Sequence, residues 1–307
     1  MTKSSLDYRK QRMSDLARDW NGNLVRPLFV NFIIPPHLLE RLNRSVKLYI
    51  SASLHFKYCE DNDEFMHRLE KQRQNRLNVT PNGAVVPKTE NSLLYNEFLR
   101  SWCDVAKNLV RPNSEKLKMF RITPNIRIKY GFELEDNINR GLNTSHAHSD
   151  SWVEGPWGFN CHIPLLGDTK NNYLRFYKLK DELKFSDEFL TNSESYTDMH
   201  WVMDFYEEDT ELVPTVGAVN LSDYALLHDT CRNQNCKTRI SIDTTILVGD
   251  HEVHPDRLIE YVENIPSIGE DLFVKCNVSE DESIIDKPTQ FSHYTTGKLT
   301  YINLLNN

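Results

Sequence analysis

The chain has 307 residues and a mass of 36.0 kDa, of which 39% are hydrophobic and 26% are charged. This is the composition of a globular protein that can bury a sizeable core, and it excludes a chain that is disordered throughout. A formal net charge of −8 disfavours general binding to nucleic acid or to an anionic membrane. We therefore expect neither nucleic acid nor a membrane among its partners.

The cysteines and the first ten residues are used to predict the cellular compartment. The six cysteines are spread along the chain, with only Cys231 and Cys236 close together, and the first ten residues are polar and charged, without an apolar stretch. No apolar run reaches the roughly 20 residues that a membrane-spanning helix needs. We expect reduced thiols, no signal peptide and a cytoplasmic protein.

The first third of the chain shows the hydrophobic spacing of amphipathic helices. The predicted helices cover residues 5–20, 37–59, 62–77 and 91–110. We assign residues 1–117 to a helical N-terminal region that packs on the rest of the protein.

From residue 118 the hydrophobic period changes to 2, the period of half-buried strands. The predicted strands cover residues 119–122, 125–130, 158–165, 173–177, 218–221, 225–227, 237–248 and 299–304. Many short strands separated by turns indicate an antiparallel sandwich or barrel rather than a wound parallel sheet. We expect residues 118–250 to form this β-rich core, and residues 251–307 to be an extension of the same domain.

The segment from His146 to Asp150 is the first candidate for metal binding. Residues two apart in an extended chain share a face, so His148 and Asp150 can offer a nitrogen and an oxygen to one ion. His146 lies on the same face and is an alternative ligand. A surface hydrogen bond between a histidine and an aspartate is the simpler interpretation, since a second His-x-Asp occurs at 254–256.

Two later features complete a pattern. His228 follows a short apolar run, and Arg239 and Ser241 share the polar face of a strand whose other face carries isoleucines. Of the eleven histidines, only His228 has an arginine eleven positions later. An arginine in such a strand needs a buried anionic partner, although an ordinary salt bridge is the alternative.

His-x-Asp, a later histidine and then Arg-x-Ser, all on short strands, resemble the Fe(II)/2-oxoglutarate-dependent dioxygenases. The resemblance covers about residues 118–248, including 160–165 and 217–219, and it extends to antibiotic-pathway members similar to the streptomycin-cluster oxygenases. It implies a mainly β fold, a double-stranded β-helix (jelly-roll, cupin-like) core buttressed by the N-terminal helices.

The resemblance also implies a set of roles. The iron ligands would be His148, Asp150 and His228. Arg239 would bind the far carboxylate of 2-oxoglutarate, Ser241 would add a hydrogen bond, and Asn160 is a candidate for the keto-acid end. Two imidazoles and one carboxylate on one face of a metal suit non-haem Fe(II) and O₂.

The implied reaction oxidises a small molecule such as an amino acid, an amine or a natural-product intermediate, and releases succinate and CO₂. Hydroxylation is the default outcome, while desaturation, ring closure and epimerisation use the same iron. Asn125, Arg127 and Lys129 share one strand face, where they either contact 2-oxoglutarate or an anionic substrate, or face solvent. The residues whose roles stay open are Asn125, Lys129, Tyr130, Trp152 and Trp157.

Two other functions compete. A zinc hydrolase of the metallo-β-lactamase type has a similar His-x-His-x-Asp start, but it continues with a histidine where this chain has Ser151. A jelly-roll binding protein would use the sheet without a metal. Fe(II)- and 2-oxoglutarate-dependent consumption of O₂ separates the three.

Overall fold

The computed structural model describes residues 5–73, 78–80, 82–86, 89–109, 117–121, 124–131, 146–154, 158–190, 193, 195–248 and 273–275. The α-helices within these ranges are α1 (Ser5–Trp20), α2 (Pro36–Ser53), α3 (Asn62–Lys71), α4 (Ser92–Leu109) and α5 (Ser151–Glu154). The 3-10 helices are Thr89–Asn91, Glu182–Lys184, Asp187–Leu190 and Tyr196–Phe205. No described helix is both long and apolar enough to cross a bilayer.

The strands alternate with turns through the remainder of the chain. They are β1 (Asn23–Arg26), β2 (Phe29–Ile33), β3 (Leu117–Arg121), β4 (Asn125–Lys129), β5 (Phe159–Gly167), β6 (Asn172–Leu179), β7 (Tyr206–Glu208), β8 (Ala218–Asp223), β9 (His228–Arg232), β10 (Arg239–Val248) and β11 (Phe273–Lys275). The strand predicted at 299–304 lies outside the described residues, as does the C-terminal extension apart from β11.

The four predicted helices are present, but two of them, α2 and α3, end earlier than predicted. α2 ends at Ser53 because His55 adopts a left-handed conformation with φ 58°. The amide of Phe56 then donates to the carbonyl of Ser51 at 3.0 Å, which closes the helix in the Schellman manner. α3 ends at Lys71, before the predicted 77.

A strand pair in the first third was not predicted. β2 is buried at four of its five positions, so it lacks the alternation that reveals a half-buried strand. It pairs with β1 on one side and with β8 on the other. The N-terminal region therefore contributes strands to the main sheet as well as helices.

The protein contains two antiparallel sheets. The larger runs in the order β1-β2-β8-β5-β10-β3-β11, and β4 pairs with the same edge of β10 nearer its start. The smaller runs β7-β6-β9. The prediction of an antiparallel, mainly β architecture with a helical first third is confirmed.

The two faces of the larger sheet have opposite character. Ile126 and Ile128 on β4 and Ile240 and Ile242 on β10 are buried in the main core. Residues of α1, α2 and α4 complete that core, so the helices cover this face. The opposite face carries the polar positions of β4, β5 and β10, and these line a cavity together with residues of β6 and β9.

The turn before His228 is tied to α1. Asp223 forms a fully buried ion pair with Arg9 and accepts a hydrogen bond from the amide of Ala225 at 2.9 Å. The amide of Leu226 donates to the carbonyl of Asp223, also at 2.9 Å. Residues 225–227, predicted as a strand, are therefore a turn, and the strand begins at His228. A buried apolar run of three residues fits either structure.

Candidate metal centre

Three predicted ligands converge in the cavity. The candidate ligand atoms of His148, Asp150 and His228 all lie within 4.8 Å of one another. His148 Nε2 is 3.8 Å from Asp150 Oδ1, and His228 Nε2 is 3.7 Å from Asp150 Oδ2. Within the part of the chain that the structure describes, this is the one group of three such side chains close enough to share an ion.

Backbone pairing brings the two histidines together. His148 and His228 are opposed across an isolated antiparallel bridge, and each amide donates to the other's carbonyl at 2.9 Å. Their ring centroids are 4.4 Å apart. This single bridge places the segment around His148 beside the start of β9, and so residues eighty positions apart in sequence become neighbours.

The hydrogen bonds of the two imidazoles fix their tautomers. His148 Nδ1 donates to the carbonyl of His146 at 2.7 Å, and His228 Nδ1 donates to the carbonyl of Leu226 at 3.1 Å. A carbonyl only accepts, so the proton sits on Nδ1 and the lone pair on Nε2 faces the site. Burial lowers the pKa of His148 well below its usual value, with a further contribution from His228. His148 is therefore a neutral imidazole that can bind a metal.

The segment that carries Asp150 is held against the turn before β9. The hydroxyl of Ser149 donates to the carbonyl of Tyr224, and the hydroxyls of Ser149 and Ser151 are 2.6 Å apart. The amide of Tyr224 in turn donates to the carbonyl of Gly158 at 3.1 Å. These bonds explain how a short turn holds a carboxylate next to two imidazoles.

Arg239 and Ser241 are two buried residues that line the cavity. Each is 1% exposed, and their side chains share the polar face of β10. Among the described residues, nothing accepts a hydrogen bond from Nε or Nη1 of Arg239, and nothing pairs with Oγ of Ser241. Burial lowers the pKa of Arg239 to about 10, so the guanidinium remains charged at neutral pH. A buried cation with unused donors is suited to an anionic ligand.

Arg127 lies in the same cavity, where Asp243 engages its guanidinium. Arg127 Nη2 donates to Asp243 Oδ2 at 2.9 Å, and Nε donates to Oδ1 at 2.5 Å. Asn125 Nδ2 donates to Oδ2 of the same carboxylate at 3.2 Å. Lys129 also lines the cavity and is 5% exposed.

His162 is a cavity residue that the sequence analysis did not identify. It faces Asp243 across the pairing of β5 with β10, and no described group bonds to its Nε2 atom. Burial lowers its pKa well below the usual value, and Arg239 lowers it further. The alternation of β5 was the available signal, since His162 shares a face with Asn160.

The remaining candidates lie apart from the triad. His146 is exposed, with its ring 5.9 Å from that of His200, and it contributes only its carbonyl to the site. Trp152 is fully buried in a second core and donates from Nε1 to the carbonyl of Phe189 at 2.7 Å. Tyr130 packs in the main core. Trp157 lies outside the described residues.

The residues present fit a divalent metal with an anionic co-ligand. Two imidazoles and one carboxylate form the donor set that leaves positions open on the metal. The unused donors of Arg239 and Ser241 lie in the same cavity. A ligand carrying carboxylates at both ends would satisfy the guanidinium with one end and the metal with the other.

The turn that begins at Gly167, the last residue of β5, determines the backbone conformation beside Arg239. Gly167 pairs with Arg239 in register and has φ +84°. A Cβ atom there would lie 2.2 Å from the carbonyl oxygen of Thr238. We expect Gly167→Ala to lower the free energy of unfolding by about 1–3 kcal/mol, because both the φ angle and the contact become strained. Chemical denaturation measures this, with exposed Lys170→Ala as a control expected to stay within about 0.5 kcal/mol of the parent. An equal effect of both variants would contradict the assigned role of the turn.

Comparison with known proteins finds similarity to solved structures only. No family model and no curated protein sequence matches the chain. Solved structures that resemble it include the epimerase SnoN of nogalamycin biosynthesis in complex with Fe³⁺ and α-ketoglutarate, at 10% identity over 76% of this chain and 84% of SnoN, with a TM-score of 0.37. An N-substituted L-amino acid dioxygenase from Burkholderia ambifaria AMMD matches at 11% identity over 77% and 86% of the two chains, with a TM-score of 0.37. The non-haem monooxygenase ThoJ matches at 11% identity over 76% and 77%, also with a TM-score of 0.37. The chain thus resembles iron- and 2-oxoglutarate-dependent oxygenases at low identity, and TM-scores of this size assign no function.

Proposed function

We propose that the protein is a non-haem, Fe(II)- and 2-oxoglutarate-dependent oxygenase of the double-stranded β-helix type, which oxidises a C–H bond of a small molecule. The observation that carries the proposal is the pairing of two sites in one cavity. One is the triad of His148, Asp150 and His228, and the other is the buried guanidinium of Arg239 with unused donors.

The proposed roles of the side chains follow from their geometry. His148 and His228 bind the metal through Nε2, since Nδ1 of each is committed to a carbonyl. Arg239 and Ser241 bind the far carboxylate of 2-oxoglutarate. Arg127 assists through charge, because its pairing with Asp243 neutralises a carboxylate that would otherwise repel a dianion. When bound, Fe(II), 2-oxoglutarate and O₂ supply the oxidising chemistry, with release of succinate and CO₂.

The proposal includes a small-molecule substrate and a cytoplasmic location. We infer a small substrate because the triad lies inside the protein, with His148 and His228 at most 5% exposed, rather than on an open surface. Tyr196 also lines the cavity and packs against His148, with ring centroids 4.5 Å apart. Cys59, Cys161, Cys231 and Cys236 are free thiols, in keeping with the expected cytoplasmic location.

We also propose the domain division 1–117, 118–250 and 251–307. Support for a single packed body comes from the main core, in which α1, α2 and α4 pack against β4, β5 and β10. The pairing of β2 with β8 adds hydrogen bonds between the N-terminal region and the β-rich core.

A zinc hydrolase is the second candidate, because two histidines and a carboxylate can also hold catalytic zinc. The buried guanidinium favours the oxygenase, since metal-assisted hydrolysis requires no dicarboxylate. The test is release of succinate from 2-oxoglutarate, measured with and without Fe(II) and O₂ across a panel of amines, amino acids and aminoglycosides. We expect release that needs both Fe(II) and O₂ and that rises with one substrate. Hydrolysis without O₂, or no turnover by metal-loaded protein with any substrate, would count against the proposal.

A further inference from the structure

Asn160 lies at the point where the large sheet meets the candidate metal centre. It belongs to β5, a central strand paired with both β8 and β10. Its Nδ2 atom is 2.6 Å from Asp150 Oδ2 and 3.5 Å from His228 Nε2. The resemblance to oxygenases makes Asn160 a candidate for the keto-acid end of 2-oxoglutarate, and in the structure its amide lies against Asp150.

The direction of the hydrogen bond between Asn160 and Asp150 is fixed by chemistry. An ionised carboxylate only accepts hydrogen bonds, so the amide must present NH₂ rather than its oxygen to Asp150. Nε2 of His148 and Nε2 of His228 also lie near this carboxylate, at 3.8 and 3.7 Å from its oxygens. Asn160 therefore donates to the carboxylate ligand itself.

We propose that Asn160 is a positioning residue that sets the orientation of the Asp150 carboxylate for metal binding; this rests on the proposed function. Asp150 sits in a turn just before the four-residue helix α5, and the hydrogen bonds of Ser149 and Ser151 hold the backbone of that turn rather than the carboxylate itself. Asn160 is anchored in the interior of the sheet. The bond to Oδ2 fixes the rotation of the carboxylate and so reduces the ordering that the metal must impose.

The proposal predicts that replacing Asn160 weakens metal binding much more than it weakens 2-oxoglutarate binding. Partners that orient a metal ligand typically change metal affinity by 10- to 100-fold when removed. We expect Asn160→Ala and the nearly isosteric Asn160→Leu to weaken binding of Mn(II), used as an O₂-stable probe, by about 10–100-fold. We expect binding of 2-oxoglutarate to metal-saturated protein to change less than about threefold, because in this proposal the amide acts on Asp150 and not on the co-substrate.

Asn125→Ala is the matched control. It removes the same side chain from the same cavity, but the Asn125 amide donates to Asp243, which is not a ligand in the triad. Mn(II) affinity should stay within about twofold of the parent. Comparing the alanine and leucine variants at position 160 separates loss of the hydrogen bond from loss of packing, and thermal unfolding shows whether each variant folds.

The experiment is an equilibrium titration of the full chain with Mn(II), in which free Mn(II) is read by electron paramagnetic resonance. A parallel set with Co(II) records the visible ligand-field spectrum, which should change in Asn160→Leu and not in Asn125→Ala. Unchanged Mn(II) affinity in both variants at position 160 would overturn the proposal, most clearly if 2-oxoglutarate binding fell instead. Failure of the parent chain to bind Mn(II) would instead contradict the proposed function, so the two failures are distinguishable.

Discussion

Replacing Asp150 with alanine is expected to abolish 2-oxoglutarate turnover and to weaken divalent metal binding by at least about 100-fold. The carboxylate is the one anionic member of the triad, and its oxygens lie 3.8 and 3.7 Å from the Nε2 atoms of the two histidines. Loss of a ligand should exceed the 10- to 100-fold effect typical of groups that only orient ligands. Metal titration of the purified variant measures the affinity, and succinate release measures the turnover.

The fold should survive this substitution. Asp150 lines the cavity, and its carboxylate accepts a hydrogen bond from Asn160. Such a bond adds about 1 kcal/mol to the free energy of unfolding. Chemical denaturation without metal should therefore show that the substitution lowers the free energy of unfolding by about 1 kcal/mol. Asp63→Ala, at an exposed acidic position in α3, is the matched control and should keep metal affinity and turnover unchanged. Parent-like metal binding by the Asp150 variant would mean that the triad is not the metal site.

Replacing Arg239 should separate co-substrate binding from metal binding. We expect Arg239→Met to weaken 2-oxoglutarate binding roughly 10- to 150-fold, because a hydrogen bond to a charged group is worth about 1.5–3 kcal/mol. Metal affinity without 2-oxoglutarate should be unchanged, since the guanidinium is no part of the donor set. Calorimetric titration of 2-oxoglutarate into anaerobic, metal-loaded protein measures this difference.

The same variant should be at least as stable as the parent without ligands. The guanidinium of Arg239 is 1% exposed and has unused donors on two nitrogens, so its burial is costly until an anion binds. Arg41→Met is the matched control, because Arg41 is half-exposed in a surface ion pair. This variant should change neither the free energy of unfolding nor the free energy of 2-oxoglutarate binding by more than about 1 kcal/mol. A strongly destabilised Arg239→Met that still binds 2-oxoglutarate normally would show that Arg239 is structural.

The sequence allowed prediction of the polar face of the large sheet better than of its edges. Alternation along residues 239–243 separated Arg239 and Ser241 from the isoleucines, and the structure has that separation. β2 escaped prediction because burial on both faces removes the alternation. The 225–227 segment was assigned wrongly because a buried turn and a buried strand share one composition.

The candidate site was predictable as a set of residue types but not as a set of contacts. The spacing from His148 to Asp150, with a later histidine and arginine, pointed to the triad and to Arg239. Spacing carries no information on the direct pairing of His148 with His228 across a bridge, because that pairing joins distant parts of the chain. It likewise could not show that Arg127 binds Asp243 or that Asn160 binds Asp150.

Metal-dependent binding of 2-oxoglutarate tests the proposed function most directly. Two calorimetric titrations under anaerobic conditions suffice, one with metal-free protein and one with protein loaded with a single equivalent of Fe(II). If the metal and Arg239 hold opposite ends of one molecule, Fe(II) must tighten 2-oxoglutarate binding, and by linkage 2-oxoglutarate must tighten Fe(II) binding by the same factor. Equal affinity with and without Fe(II), or no saturable binding in either state, would contradict it.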